Sequence, residues 1–241
     1  MSSLEATNHN NNAKRFVVFG AGAGPALRPL SNLADAPLVH TWPAEAAPWV
    51  PPHLRGRTAA YPSSEHAFQA LRSLDLATAR AFESGGALDV RADDAVLAAF
   101  PRARGKTRFE RVDLRAKVAA YWGRRGCLGI VAKMAVCLPP AVAAAALGLR
   151  LGPQHPDAGA AALWVPLLLA KFAGPQGAAH RARLLACPED ALLVEGGRFR
   201  DPRQYWSAYV DRAAGCLIGH NRMGALLGRV RLHLRLDDDD E

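Results

Sequence analysis

Apolar residues at helical spacing are the strongest constraint on this chain. Met223, Leu226, Leu227, Val230 and Leu234 fall at i, i+3, i+4, i+7 and i+11, so they line one face of a helix and oblige it to bury that face. Ala67, Phe68, Leu71 and Leu74 repeat the pattern after a Pro-Ser-Ser turn. Helical patterns recur around 92–100, 113–122, 140–147, 165–173 and 177–186, with Pro166 in a first helical turn, where proline is tolerated. Strand signals are short by comparison: 15–19, 38–42 and Leu192-Leu193-Val194. Alanine and leucine supply most of the apolar residues, and aromatic residues only 7%, which favours helix. The sequence therefore reads as mainly α, an α+β fold with a few short strands. Its 241 residues, 50% of them hydrophobic, suit one large domain better than two small ones.

Several function classes drop out on composition. Residues 1–14 are polar and asparagine-rich without an apolar core, so they read as a disordered tail rather than a signal peptide. The longest apolar stretch, 135–149, contains Pro139 and Pro140 and is too short to span a bilayer. No membrane partner is expected, and an intracellular, cytoplasmic, soluble protein is. Residues 236–241 read as a solvated acidic tail. Cys127, Cys137, Cys187 and Cys216 have neither zinc-ligand nor disulfide-framework spacing, so no metal is expected. The net charge of +8 is a weak argument for nucleic acid, because only five of the thirty basic residues are lysines and most are scattered. The exception is a cluster from Arg102 to Lys117, readable as an anion-binding patch or as a solvated face. A dinucleotide loop is also excluded: Gly20 and Gly22 open a G-x-G, but the third glycine is missing and no βαβ pattern follows.

The densest chemistry lies at 61–69, Tyr-Pro-Ser-Ser-Glu-His-Ala-Phe-Gln. The turn and cap residues predict a helix running from Ser64 to about Glu83, stopped by Gly85 and Gly86. Glu65 then sits in the first turn, beside the positive end of the helix dipole, where an ionised carboxylate is favoured. Glu65, Gln69 and Arg72 at i, i+4 and i+7 form a polar face expected to point away from Phe68 and Leu71.

Together with Leu30-Ser31-Asn32-Leu33, Lys171-Phe172, Leu193-Val194-Glu195, Tyr205-Trp206 and Gly219-His220-Asn221-Arg222-Met223-Gly224, this segment resembles the motifs of the NADAR (YbiA-like) family. The resemblance runs from about Phe16 to Arg231 within a domain of residues 15–235. Residues 84–160 match no motif and read as a possible extended insert. It implies a YbiA-like domain and a hydrolase of N-glycosidic bonds, acting on ribosylamine intermediates or on ADP-ribose attached to guanine bases. No cofactor and no metal are implied. The ligand is then a small nucleotide-like molecule, with nucleic acid as a modified substrate. A non-catalytic module binding NAD or ADP-ribose, and a basic nucleic-acid-binding protein, are the alternatives.

Such hydrolysis passes through an oxocarbenium-like transition state, so it needs a carboxylate and donors for the departing base. Glu65 is the expected base or cation stabiliser, and Glu195, at a strand end before two glycines, the competing carboxylate. His66 is either a proton donor to the leaving group or a hydrogen-bonding residue of the fold. Asn32 and Asn221 could fix ribose hydroxyls, or serve as a turn residue and a helix cap. Trp206 is a stacking wall or a core tryptophan, and Lys171 an anion ligand or a snorkelling surface lysine. Gln69 and Asp211 complete the expected substrate-binding set. The chain departs from the family after the tryptophan, reading Ser207-Ala208-Tyr209 where the family has W-G-x-G, and it has His220 before the asparagine. A loop without those glycines approaches a ligand less closely.

Overall fold

Strands β1 (Phe16–Phe19) and β4 (Leu192–Glu195) pair in parallel, Phe16 opposite Leu192 and Phe19 opposite Glu195, although nearly the whole chain lies between them. The computed structural model describes residues 15–239 apart from 21–22, 46–47, 90–126, 154–156, 175–176 and 198–199. The expectations for the 1–14 tail, the helices at 92–100 and 113–122 and the Arg102–Lys117 cluster lie outside the described residues. Two further strand pairs are antiparallel: β2 (Leu38–Thr41) with β3 (Thr58–Tyr61), and the hairpin of β5 (Tyr209–Asp211) with β6 (Cys216–Ile218). Neither β3 nor the hairpin has a pattern long enough to announce itself. The fold is α+β, with helix as the larger part.

Helix α1 (Ser64–Ala70) starts where the sequence places it, with Ser63 as its cap accepting the His66 N–H at 3.3 Å. The single helix expected to run to Glu83 is interrupted. Leu74 N–H donates to the Arg150 carbonyl at 2.9 Å, and Gly152 N–H to the Arg72 carbonyl at 2.7 Å. Backbone groups that would continue the helix are thus taken by Arg150 and Gly152 of the same chain. Asp75 then caps a separate α2 (Leu76–Ala81) through the Thr78 N–H at 2.8 Å.

The segment that matched no motif supplies α3 (Gly129–Ala135) and α4 (Pro140–Leu147). Helix α3 lies directly on α1. A Cβ at Gly129 would stand 2.8 Å from Leu33 Cα, 2.9 Å from Ser63 Oγ and 3.0 Å from Glu65 Cβ, so only glycine admits this approach. The packing inverts the expectation for the polar face of α1, since Glu65 and Gln69 are buried and the Arg72 guanidinium donates to the Val136 and Gly152 carbonyls at 3.1 and 3.2 Å.

Helix α5 (Asp157–Ala173) begins before the expected start, so Pro166 lies deep inside it rather than in its first turn. Helix α6 (Ala178–Leu185) follows, and α7 (Arg222–Asp239) closes the fold, packed on α5 and β4. Met223, Leu226, Leu227, Val230 and Leu234 are all buried, each worth about 1.5–3 kcal/mol of transfer from water. The helix extends through Asp239, so the start of the presumed acidic tail is helical. Among the described residues no helix is long and apolar enough to cross a membrane.

Candidate active site

Three separate parts of the chain meet at Glu65. Its backbone N–H donates to the Asn32 carbonyl at 3.2 Å, and the neighbouring Ser64 hydroxyl donates to the same oxygen at 3.3 Å. The Asn32 side-chain amide donates to Glu65 Oε2, and Gln69, one turn on, donates to Oε1 at 2.8 Å. Each carboxylate oxygen therefore takes an amide donor. The other atom of the Asn32 amide, Oδ1, is buried and has no hydrogen-bond partner among the described residues.

Glu195 stands at the end of β4. Its side chain is half-buried, and burial pushes its carboxyl up to about 7 from the ordinary 4.5; Lys133 pulls it down, while the Glu65 charge raises it. Desolvation dominates, so Glu195 holds its proton near neutrality.

Asn221 orients this strand end. Its Oδ1 accepts the Glu195 backbone N–H at 3.1 Å and its Nδ2 donates to the Leu193 carbonyl at 2.8 Å. Its backbone takes φ = 50°, which asparagine tolerates better than most residues. It stands before α7 as expected, but its amide serves β4. The close approach of α7 to β4 depends on Gly224, where a Cβ would fall 2.1 Å from the Leu193 carbonyl oxygen.

Three other expected residues are engaged elsewhere. His66 is fully buried, with Nδ1 at 2.9 Å from Ser63 Oγ and Nε2 at 3.1 Å from the Leu88 carbonyl. The carbonyl can only accept, so Nε2 carries the hydrogen and Nδ1 receives the serine hydroxyl. Both nitrogens are held in the interior, the arrangement expected of His66 as a hydrogen-bonding residue of the fold. Lys171 is 1% exposed, and its ammonium donates to the Pro29 and Ser31 carbonyls at 2.8 and 2.6 Å. It is not a surface lysine, and its donors are engaged by the protein's own carbonyls. Asp211 lies in the β5–β6 hairpin, where it pairs with Arg200 and accepts the Ala214 N–H at 3.2 Å. Those local partners explain it without a ligand.

Trp206 is half-buried and meets Phe68 of α1 edge-on, with ring centroids 6.3 Å apart. It also meets Trp164 edge-on at 6.2 Å, and Trp164 stacks on Phe68 at 4.4 Å. An aromatic wall thus flanks the helix that carries Glu65. The residues missed in the sequence are Lys133, Gly129 and Trp164. The first two had a signal: a single lysine four residues after a glycine in the otherwise apolar run 127–138. Trp164 had none, and its buried indole N–H has no acceptor among the described residues.

Among the described residues, no group of three His, Cys, Asp or Glu side chains is placed to hold a metal ion. An apolar hollow of about 300 Å³, lined by Val17, Leu27, Cys187 and Pro188 among others, shares no residue with this cluster and offers no carboxylate.

No family model matches the chain, and no curated protein matches it. Among solved structures, the chain is similar to the E. coli protein YbiA, determined by NMR, with 22% sequence identity, coverage of 95% of this chain and 89% of that one, and a TM-score of 0.43.

Proposed function

We propose that this protein hydrolyses the N-glycosidic bond of a ribosylated base or an ADP-ribosyl conjugate, the activity that its NADAR-like motifs imply. The observation that supports this reading is the unequal carboxyl pair: Glu65 held by two amide donors, and Glu195 desolvated enough to keep its proton to about pH 7. A carboxylate engaged by amide donors beside a second carboxyl that keeps its proton suits a division into base and acid.

In the proposed reaction, Glu65 takes a proton from water or faces the cationic anomeric carbon. The water oxygen bonds to that carbon as the C–N bond breaks, and Glu195 protonates the departing nitrogen. Asn32 and Gln69 keep the Glu65 carboxylate in one orientation. Trp206 is the side chain best placed to flank a nucleobase. The ligand is a nucleotide-like molecule, free or carried on a nucleic acid.

The test is product release from ribosylamino-pyrimidines and ADP-ribosylated guanine by the full chain beside Glu65→Gln and Glu195→Gln. Base or ADP-ribose release that is lost in both variants supports the reading. Release that persists undiminished in Glu65→Gln removes Glu65 from the mechanism. A second reading, a module that binds NAD or ADP-ribose without cleaving it, is favoured by the loop after Trp206. Gly197 lies against this loop, its N–H donating to the Ala208 carbonyl at 2.8 Å and a Cβ there standing 3.0 Å from Ala208 C, so the loop is tied to the end of β4. Ligand affinity without product release supports that alternative.

A further inference from the structure

We propose that Lys171 is a positioning residue for Glu65, acting by fixing the backbone that presents Asn32. The proposal rests on the reading of Glu65 as the working carboxylate. A buried ammonium is costly unless its donors are satisfied, and Lys171 is enclosed with two backbone carbonyls as acceptors. Its head does not reach solvent, so any influence on a ligand must pass through what it holds.

What it holds is the residue before Asn32. The 3-10 turn Arg28–Leu30 and Ser31 lead into Asn32. The Ser31 carbonyl is fixed by Lys171, the Asn32 carbonyl receives the Glu65 N–H and the Ser64 hydroxyl, and the Asn32 amide reaches the Glu65 carboxylate. The links run from α5 through one loop to the first turn of α1, bridging 140 residues of sequence with the 2.6 Å contact. Gln69 reaches the same carboxylate from within α1 and owes nothing to this loop. The two amide donors therefore report separately on loop and helix. Burial also pulls the Lys171 ammonium down to about 7, with Cys127 acting against that shift, and Lys171 in turn lowers the proton affinity of His180.

The experiment compares Lys171→Met, which keeps the length and removes the donors, with Lys171→Gln, which is neutral but retains an N–H donor. Side-chain amide signals of Asn32 and Gln69 are assigned by ¹⁵N NMR in the full chain, and their hydrogen exchange is measured. The expected result is exchange at Asn32 faster by about tenfold or more in Lys171→Met, the loss of a charge-assisted hydrogen bond, with Gln69 little changed. Lys171→Gln should recover part of the difference. On a cleaved substrate, Lys171→Met should lower kcat by a similar factor with KM within about twofold, because orientation is lost and ligand contacts are not.

Unchanged Asn32 exchange in folded Lys171→Met overturns the proposal, as does an equal change at Asn32 and Gln69, which would mark Lys171 as general core support. If Lys171→Met does not fold, Lys171→Gln carries the same comparison. The NMR result stands even if no substrate is cleaved. Failure of the hydrolase reading and failure of the positioning reading are thereby distinguished.

Discussion

Replacing Glu195 by glutamine should stabilise the fold above neutral pH while abolishing the proposed reaction. The carboxyl sits at about 7 in the folded protein against 4.5 ordinarily, so the folded state holds a proton that the unfolded chain releases between those values. Stability is then fully present below pH 4.5 and is lost as pH rises through about 7, because there the native state binds more protons than the unfolded one. The gap of about 2.5 pH units, at about 1.4 kcal/mol each, sets a penalty of roughly 3 kcal/mol at pH 8. The partial exposure of Glu195 reduces it to about 2–3 kcal/mol. Glutamine is neutral at every pH and nearly the same size, so it escapes the penalty. The assay is urea unfolding of wild type and Glu195→Gln at pH 5, 6, 7 and 8, with the difference in unfolding free energy plotted against pH. The expected curve is below about 1 kcal/mol at pH 5, climbs through pH 6 and 7 and levels off near pH 8 in favour of the variant. A difference that is flat with pH, or a variant less stable at pH 8, would refute the argument that Glu195 is held protonated by desolvation.

Other consequences are measurable. Hydrolysis should fall as pH rises through about 7, where Glu195 loses its proton, so kcat/KM profiled from pH 5 to 9 should show an alkaline limb there; a constant rate to pH 9 excludes Glu195 as the proton donor. Glu65→Gln turns one carboxylate acceptor into an N–H group facing Asn32 or Gln69, and should cost about 1–3 kcal/mol in urea unfolding besides removing activity. Gly224→Ala brings a methyl against the Leu193 carbonyl, and should destabilise by about 1–3 kcal/mol or more through displacement of α7 from β4, read as a lowered Tm. Lys171 works in the opposite sense to Glu195: its depressed ammonium makes stability rise with pH from about 7 toward 10.5, a slope that Lys171→Met should abolish in the same unfolding series.

The sequence by itself determined the features that depend on near neighbours in the chain. The start of α1, its Ser63 cap and the first-turn place of Glu65 follow from a turn followed by helical spacing. So do the buried face of α7 and the delivery of Glu195 by a short β-rich run. Tertiary structure decided whatever depended on which surfaces meet. The sequence does not show that the Arg150 carbonyl would take the Leu74 N–H and break the helix expected to run on to Glu83. Nor does it show that α3 would settle on α1 through Gly129 and turn a polar face inward. The same holds for the chemistry. Glu65 and Glu195 are 130 positions apart, and the raised proton affinity of Glu195 arises from its burial and, to a smaller extent, from the Glu65 charge. Asn32, Lys171 and Asn221 appear in the sequence as polar residues free to meet a ligand. Packing assigns their polar atoms to the carboxylate, the loop and the strand that shape the site. Spacing along a chain fixes the direction of a side chain on its own helix or strand, whereas desolvation and hydrogen-bond partners are set by distant segments that bring their surfaces against it.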